Sequence, residues 1–332
     1  MTDSNCTRLS RGMCAAPASI RHSIFAGLLI TVMLAGCSSR PVHQPAVVVN
    51  SDADMALGMR AYQNNNYAEA GNYFARALAQ YRSVDDRTGQ LNTLIDLADS
   101  ALGQGEYASA REYLGAADQI TADINHSGLK PHLVLLGAYA DMQAGDNQQA
   151  ADQLDTLLKD ASTPADIRQA ALFARTQAAF DLKSSDAPAW LKKLGAALGN
   201  SPDTLIQARY QRLQARAALI RGNSAQAAAL YAKALDAYRT AYYRPGIAAT
   251  LEEWATLSMQ QKDWINARQQ LQRALDVRLS MYDRTHSIID LENLVLTETA
   301  LGNTADAQHS SQLADYLRNG GDPAQLPPSG TP

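Results

Sequence analysis

The 332-residue sequence holds only three cysteines, and Cys6, Cys14 and Cys37 all lie in its first 37 positions. Nothing beyond residue 37 can therefore supply a disulfide, a thiolate metal ligand or a thiol nucleophile. Long apolar runs are also missing. The conspicuous one, Ile24 to Gly36, has thirteen residues, short of the roughly twenty that a membrane-crossing helix needs. Glycine (20) and proline (12) are sparse, and runs of β-branched residues are nearly absent, whereas alanine is abundant. That balance excludes a sheet protein and points to helix. A basic surplus is lacking too: 29 Lys and Arg stand against 33 Asp and Glu. A general binder of nucleic acid or anionic lipid would need a basic face, so neither is expected.

What is present begins with the placement of Cys37. The stretch "MLAGCSSR" (33–40) ends the apolar run with a cysteine and turns polar at once. Arg8, Arg11, Arg21 and His22 precede that run. A basic lead, a short apolar core and small residues at its end describe a secretory signal peptide. Leu34-Ala35-Gly36-Cys37 resembles the bacterial lipobox, cut between Gly36 and Cys37, with diacylglycerol on the cysteine sulfur. The resemblance implies a lipoprotein signal peptide over residues 1–36 and a membrane-anchored chain lipidated at Cys37, held to the bilayer rather than through it. Asp directly after the cysteine would imply inner-membrane retention. Ser38 stands there instead, so the expected address is the outer membrane, with the lipid anchor facing the periplasm. Met1 and Met13 both stand as candidate starts. Removing residues 1–36 takes three arginines and one aspartate with it, leaving 26 basic and 32 acidic residues, a net charge of −6. Residues 37–53 read as a lipidated flexible tether with two prolines, spanning roughly 20 Å if fully flexible. Residues 319–332, rich in glycine and proline, read as a disordered tail.

Between these ends the chain repeats itself. "NNNYAEAGNYFARAL" (64–78), "QGEYASAREYLGAAD" (104–118), "RGNSAQAAALYAKAL" (221–235) and "QKDWINARQQLQRAL" (261–275) share one layout. A polar turn is followed by alanine at a fixed offset: Ala70, Ala110, Ala150, Ala227, Ala267 and Ala307. A bulky residue follows four later in five of them (Phe74, Leu114, Leu154, Tyr231, Leu271), and a small or aliphatic one three after that. Those spacings place the set on one helical face. The alanines are the expected repeat-packing positions, because a larger side chain there would overpack the helix contact at roughly 1–3 kcal/mol. Thirteen residues before each alanine lies the facing position of the preceding helix, as at Leu57, Leu97 and Leu294, often followed by a small residue such as Gly58.

This helix–turn–helix pattern resembles the tetratricopeptide repeat (TPR), with its Leu-Gly pair, turn, Ala and Phe clearest in residues 57–77. The usual period is about 34 residues; here the alanines recur every 40, as in a long-helix subtype. The resemblance implies an all-α fold over residues 54–318: an α-solenoid of about seven TPR-like hairpins forming a right-handed superhelix with a concave groove. The gap from Ala150 to Ala227 must hold one degenerate unit, the fourth, near residues 165–200, with Ala187, Leu191 and Leu194 on its second helix. His309, Ser310 and Ser311 replace apolar residues in the last helix, as a water-exposed cap requires.

In such repeats the first helix of each pair lines the concave wall. Mapped by offset from the alanines, the wall of the first three repeats carries Met55, Met59, Tyr62, Ile95, Leu102, His132, Leu135, Tyr139 and Met142. Arg209, Arg212 and Arg216 follow in the fifth repeat, Glu252 and Glu292 in the sixth and seventh. Methionine and aromatic side chains suit a partner's helix or extended segment, and arginines hold a carboxylate bidentately. On this reading, Glu at positions 212 and 216 abolishes partner capture without unfolding the repeats. The competing reading is that elongated helices bury the apolar positions and that the arginines pair with Glu252.

Catalysis is not expected. No HExxH or GxSxG occurs, and His286 and His309 are isolated in sequence. Gly103 to Ala108 formally fits GxGxxA but has no strand before it. Glu252 and Glu253 are adjacent and so point to different helical faces. No metal, cofactor or small-molecule substrate is called for. The function implied is a periplasmic scaffold or assembly factor for an envelope complex (pilus or secretion, outer-membrane assembly or cell wall), holding another envelope protein or peptide segment in its groove. The alternative is an activator of a peptidoglycan synthase or hydrolase.

Overall fold

Each hairpin is built at the turn before it is built in the core. Residues five before the repeat alanine take the left-handed conformation: Asn65, Gly105, Gly145, Gly222, Lys262 and Gly302 have φ between 55° and 91°. That one residue reverses the chain. The next residue then caps the second helix, the side chains of Asn66, Asn223 and Asp263 each accepting from a backbone N–H three residues on. Polar turns read from the sequence are thus specific backbone instructions.

The computed structural model describes residues 46–124, 126–199 and 203–326. Gly36 and Cys37, and with them the lipobox, lie outside that range. Among the described residues there is no strand, and fourteen α-helices follow one another. The first hairpin is α1 (Ala46–Gln63) and α2 (Tyr67–Ser83), the second α3 (Arg87–Gln104) and α4 (Tyr107–Asp123). Next come α5 (Lys130–Ala144) with α6 (Asn147–Lys159), and α7 (Ala165–Asp181) with α8 (Ala187–Leu198). The last three are α9 (Thr204–Ile220) with α10 (Ser224–Thr240), α11 (Arg244–Gln260) with α12 (Trp264–Ser280), and α13 (Arg284–Leu301) with α14 (Thr304–Arg318). Helices consecutive in sequence pack side by side throughout, so the chain is an all-α solenoid of seven hairpins. The irregular fourth hairpin is present, with α8 shorter than the second helix of any other.

The repeat alanines sit where helices approach most closely. Ala70, Ala110, Ala150, Ala227 and Ala267 are fully inaccessible, and Ala307 nearly so. Phe74, Leu154, Tyr231 and Leu271, four residues on, are buried with them. In the first hairpin the facing residue is not Leu57, which is 39% exposed. It is Gly58, where an added Cβ would stand 2.5 Å from the Phe74 ring. The apolar core runs from hairpin to hairpin: one cluster extends from Ala61 to Leu136, and another from Ala255 to Leu317.

Both ends differ from the sequence reading. Residues 46–53, assigned to the tether, are the first two turns of α1. Polar contacts rather than apolar periodicity hold them: Asp52 accepts from the Tyr81 hydroxyl at 2.8 Å. Asp54 takes the Arg76 guanidinium and the Gln80 amide. At the other end, residues 319–326 are ordered against the last hairpins rather than free. Pro323 is buried in a 3-10 turn, Pro323–Gln325, and Leu326 packs on the final core cluster. The Asp322 N–H donates to the Tyr316 hydroxyl at 3.1 Å, and Arg284 donates to the Gly321 carbonyl. Ser310, expected to be exposed, is buried.

The solenoid also curves far enough for its ends to meet. Arg244, at the start of α11, donates to the Asn64 carbonyl in the α1–α2 turn. Thr285, at the start of α13, donates its hydroxyl to the Gly105 carbonyl in the α3–α4 turn at 3.0 Å. Tyr107 and His286 touch beside it, Tyr Oη to His Nε2 at 3.4 Å, edge to face.

Candidate functional site

Where the ends meet, the inner face of the curve carries a solvent-open cavity of about 390 Å³. Its first wall comes from the opening three hairpins: Tyr62, Leu102, Tyr139 and Met142, with Tyr67 and Asp99 beside them. Opposite stand Arg209 and Arg212 of α9, Tyr238 of α10, Tyr243 just before α11, and Arg278, Asp283 and His286. Tyrosine and arginine are the side chains that anchor protein interfaces, being large, amphipathic and rich in donors. Tyr62 and Tyr67 meet edge to face at 5.3 Å, and Tyr238 and Tyr243 lie 5.6 Å apart. These pairs hold the rings in place.

Of the groove residues expected from sequence, Tyr62, Leu102, Tyr139, Met142, Arg209 and Arg212 converge on this cavity. Others do not. Ile95 and Leu135 are core residues, 6% and 4% exposed, packed between helices rather than facing a groove. Met55 packs on the same core as Ile95, its sulfur accepting from the Thr93 hydroxyl at 3.3 Å. Met59 lies outside the cavity and is 38% exposed. His132 is half-buried, and burial lowers its pKa. The longer helices have moved some concave positions into the contact between neighbouring hairpins.

The arginines are mostly spoken for. Arg212 donates to Glu253, not Glu252, at 2.6 Å. Burial alone would lower its pKa, but the adjacent Glu253 raises it instead. Arg216 pairs with Asp181 at 2.6 Å, lies over the Phe180 ring, and faces a different cleft. Charge reversal at Arg212 and Arg216 therefore strikes ion pairs that tie α9 to its neighbours, and would disturb the fold as well as any binding. Glu292 pairs with Arg318. Arg209 is different: it stacks on the Phe173 ring at 4.7 Å and donates to the Tyr139 hydroxyl at 3.3 Å. Among the described residues no carboxylate pairs with it.

Glu252 belongs to a buried charge cluster. Arg278, 7% exposed, donates to Glu252 at 2.7 and 3.0 Å and to Asp283 at 2.9 Å. Asp283 also accepts from the His286 ring and from its backbone N–H, capping α13. Burial opposes ionisation of both carboxylates, yet Arg278 holds Glu252 low and the His286 hydrogen bond holds Asp283 low. Asp290 lies nearby with neither oxygen hydrogen-bonded, and burial next to Glu252 pushes it up to about 8. On α3, burial pushes Asp99 up to about 7, and burial with the neighbouring Asp99 does the same to Asp96. Among the described residues no group of three or more His, Cys, Asp or Glu could hold a metal ion. No described helix is long and apolar enough to cross a membrane.

Sequence reasoning missed Asp99, Tyr67, Tyr238, Tyr243, Arg278, Asp283 and His286. Asp99 was within reach, because it lies eleven residues before Ala110, the offset that gave Tyr139 from Ala150. Tyr243 and Asp283 lie 24 before Ala267 and Ala307, where Asp86 and Asp203 also cap first helices. That position gave no hint that two of its members face inward, since only closure brings them there.

The tetratricopeptide repeat family model matches residues 51–121, which fall within α1–α4. Among solved structures, BtubC (BKLC) from P. vanneervenii is similar at 14% identity, covering 87% of this chain and 96% of that one, with a TM-score of 0.34. The TPR2AB domain of yeast Sti1, in its complex with pHSP90, is similar at 16% identity, covering 81% of this chain and 98% of that one, with a TM-score of 0.31. No curated protein matches the sequence. The tetratricopeptide repeat match is thus confined to the first two hairpins, and the hairpins that follow through α14 stack in the same helix–turn–helix order.

Proposed function

We propose that this protein is an interaction scaffold that holds a segment of a partner protein against the interior wall formed by Tyr62, Tyr139, Arg209 and Tyr243. The observation that carries this reading is Arg209. A guanidinium enclosed with tyrosines, stacked on one ring and bonded to one hydroxyl, has donors left over and no carboxylate of its own. A partner's acidic group would complete it, and the surrounding rings would cover the partner's apolar atoms. A photo-crosslinking residue at Tyr139 should give a discrete adduct in cells, lost on Arg209→Met. The same residue at Ile265, exposed on α12, serves as the outside reference. Equal adducts at both sites, or persistence at Tyr139 in the Arg209→Met protein, would overturn the interior as the binding wall.

The address supported by Leu34-Ala35-Gly36-Cys37 is a lipid-anchored periplasmic protein of the outer membrane, serving an envelope complex. Incorporation of labelled palmitate that disappears on Cys37→Ser, with loss from the outer-membrane fraction, is the expected result. Labelling that survives the substitution would sink the anchor.

A further inference from the structure

The cavity behind the seam, where the ends of the solenoid meet, is lined by charges of both signs, and most of them are paired within the fold. Arg212 pairs with Glu253, and Arg278 with Glu252 and Asp283. Two lining groups are left over. Arg209 of α9 has only the Tyr139 hydroxyl as a hydrogen-bond acceptor. On the facing wall, Asp99 of α3 accepts no hydrogen bond and joins no ion pair among the described residues.

These two do not neutralise each other. A guanidinium within about 4–6 Å holds a carboxylate low, yet burial pushes Asp99 up to about 7 with no cation pulling it back. The pair therefore stands farther apart than an ion pair. Near Asp99 lie Asp96, Tyr62 and Tyr67, none of them positive. Near Arg209 lie Tyr139, Tyr238 and Tyr243, none of them a carboxylate. Each charge thus keeps its own place on the wall without a counter-charge.

The repeat does not demand a carboxylate at position 99. Eleven residues before the other repeat alanines stand Met59, Tyr139, Arg216, Thr256 and Leu296, so the hairpin forms with any of these side chains there. The same cavity is lined by Gln143 and Gln177, whose side chains make no hydrogen bond within the described fold. Such amides both donate and accept, as a peptide backbone requires of its surroundings.

Resting on the reading that the interior is the binding wall, we infer that the partner segment is charge-paired: a lysine or arginine of it reaches Asp99 while an acidic residue of it reaches Arg209. Asp99 is then a second anchor. Because the two unpaired charges are opposite in sign and stand on opposite walls, the order of basic and acidic residues fixes the direction in which the segment lies. A segment with the acidic residue alone leaves Asp99 without a counter-charge and binds less tightly.

The test uses the purified full chain, with end-blocked synthetic octapeptides of alanine, glutamine and one tyrosine as the probe. They carry one lysine, one glutamate, both or neither, the two charges set at every spacing and in both orders. Binding is read by anisotropy of a neutral dye at pH 8, where Asp99 is ionised. In one order and a narrow range of spacings, lysine should tighten binding at least about tenfold over glutamine at the same place, as charge-assisted hydrogen bonds do. Asp99→Asn, which keeps the side chain's shape, should abolish the gain from lysine and spare the gain from glutamate. Arg209→Met should do the converse. That crossed pattern separates binding from misfolding, which would lose both gains together. No gain from lysine in any peptide, or a gain that Asp99→Asn leaves intact, would overturn the charge-paired segment while the part of Arg209 stands. No gain from either charge would overturn the interior wall along with it.

Discussion

Neighbouring helices and the two ends of the solenoid meet by different physics. Between neighbours, an inaccessible alanine admits a second helix, and a bulky residue one turn on fills the space, as Ala70 with Phe74 and Ala227 with Tyr231 show. At the seam, three polar contacts bridge residues about 180 positions apart, with open clefts on either side. The first kind of junction is apolar, periodic and written into every repeat. The second is the outcome of curvature accumulated over seven hairpins, to which every junction contributes a little.

Breaking the first kind should have the largest effect. Phe74→Ala removes a fully buried ring that packs against Gly58, and should cost about 3–5 kcal/mol, read as a lower midpoint in urea. Ala227→Leu approaches the same junction from the other direction. Its site is fully inaccessible, so the added atoms must displace a helix at about 1–3 kcal/mol. If either change left the midpoint unmoved, the neighbour junctions would not be what carries the stack.

The charge cluster behind the seam stands between the two kinds. Arg278 neutralises Glu252 and Asp283 where little water reaches them. Arg278→Met leaves Glu252 without its ion-pair partner and Asp283 with His286 alone, and should cost about 3–5 kcal/mol, as broken buried pairs do. Loss of stability should come with faster amide hydrogen exchange at the start of α13, because Asp283 caps the helix that carries Thr285 and His286.

Buried carboxylates in this cluster and on α3 set a pH dependence. Asp290 is pushed up to about 8, and Asp96 and Asp99 to about 7. Between the ordinary carboxylate range near 4 and those values, the folded chain keeps protons that the unfolded chain has released. Stability therefore falls as pH rises through that window. Asp283 and Glu252, held low, act oppositely, but their contribution is lost only as pH falls below the ordinary range. The melting temperature should be higher at pH 5 than at pH 8.5. Asp290→Asn should flatten that slope by raising the value at pH 8.5, at about 2–4 °C per kcal/mol recovered. An unchanged slope would mean that Asp290 is ionised in the fold.

How much of this was legible in the sequence follows the same division. The alanine period, the polar turns and the bulky residue four later located all seven hairpins, including the irregular one at Ala187. They did so because helix packing between neighbours depends on residues a few positions apart. The inner wall was legible only in part. Tyr62, Tyr139, Arg209 and Arg212 were found by offset, but Ile95 and Leu135 were misplaced, since the longer helices turn those positions into the core. Arg212 pairs with Glu253 and Glu252 with Arg278, a choice set by helix rotation that spacing cannot resolve. Tyr107, His286, Thr285 and Gly105 came together only through curvature, a property of no single repeat.

The smallest effect on stability is expected at the seam itself, and it is the one that separates the two kinds of junction most sharply. Thr285→Val keeps the shape of the side chain and removes one hydrogen bond to the Gly105 carbonyl. Such a bond contributes about 0.5–1.5 kcal/mol net, and here less is at stake because water can replace the donor. A change of that size moves the melting temperature of a chain this long by only a few degrees at most. Amide hydrogen exchange in the α3–α4 turn around Gly105 should nevertheless quicken, since one of the three contacts is gone. A fall in melting temperature comparable to that of Phe74→Ala would show instead that the ends are held as firmly as the neighbours, and the distinction between the junctions would collapse.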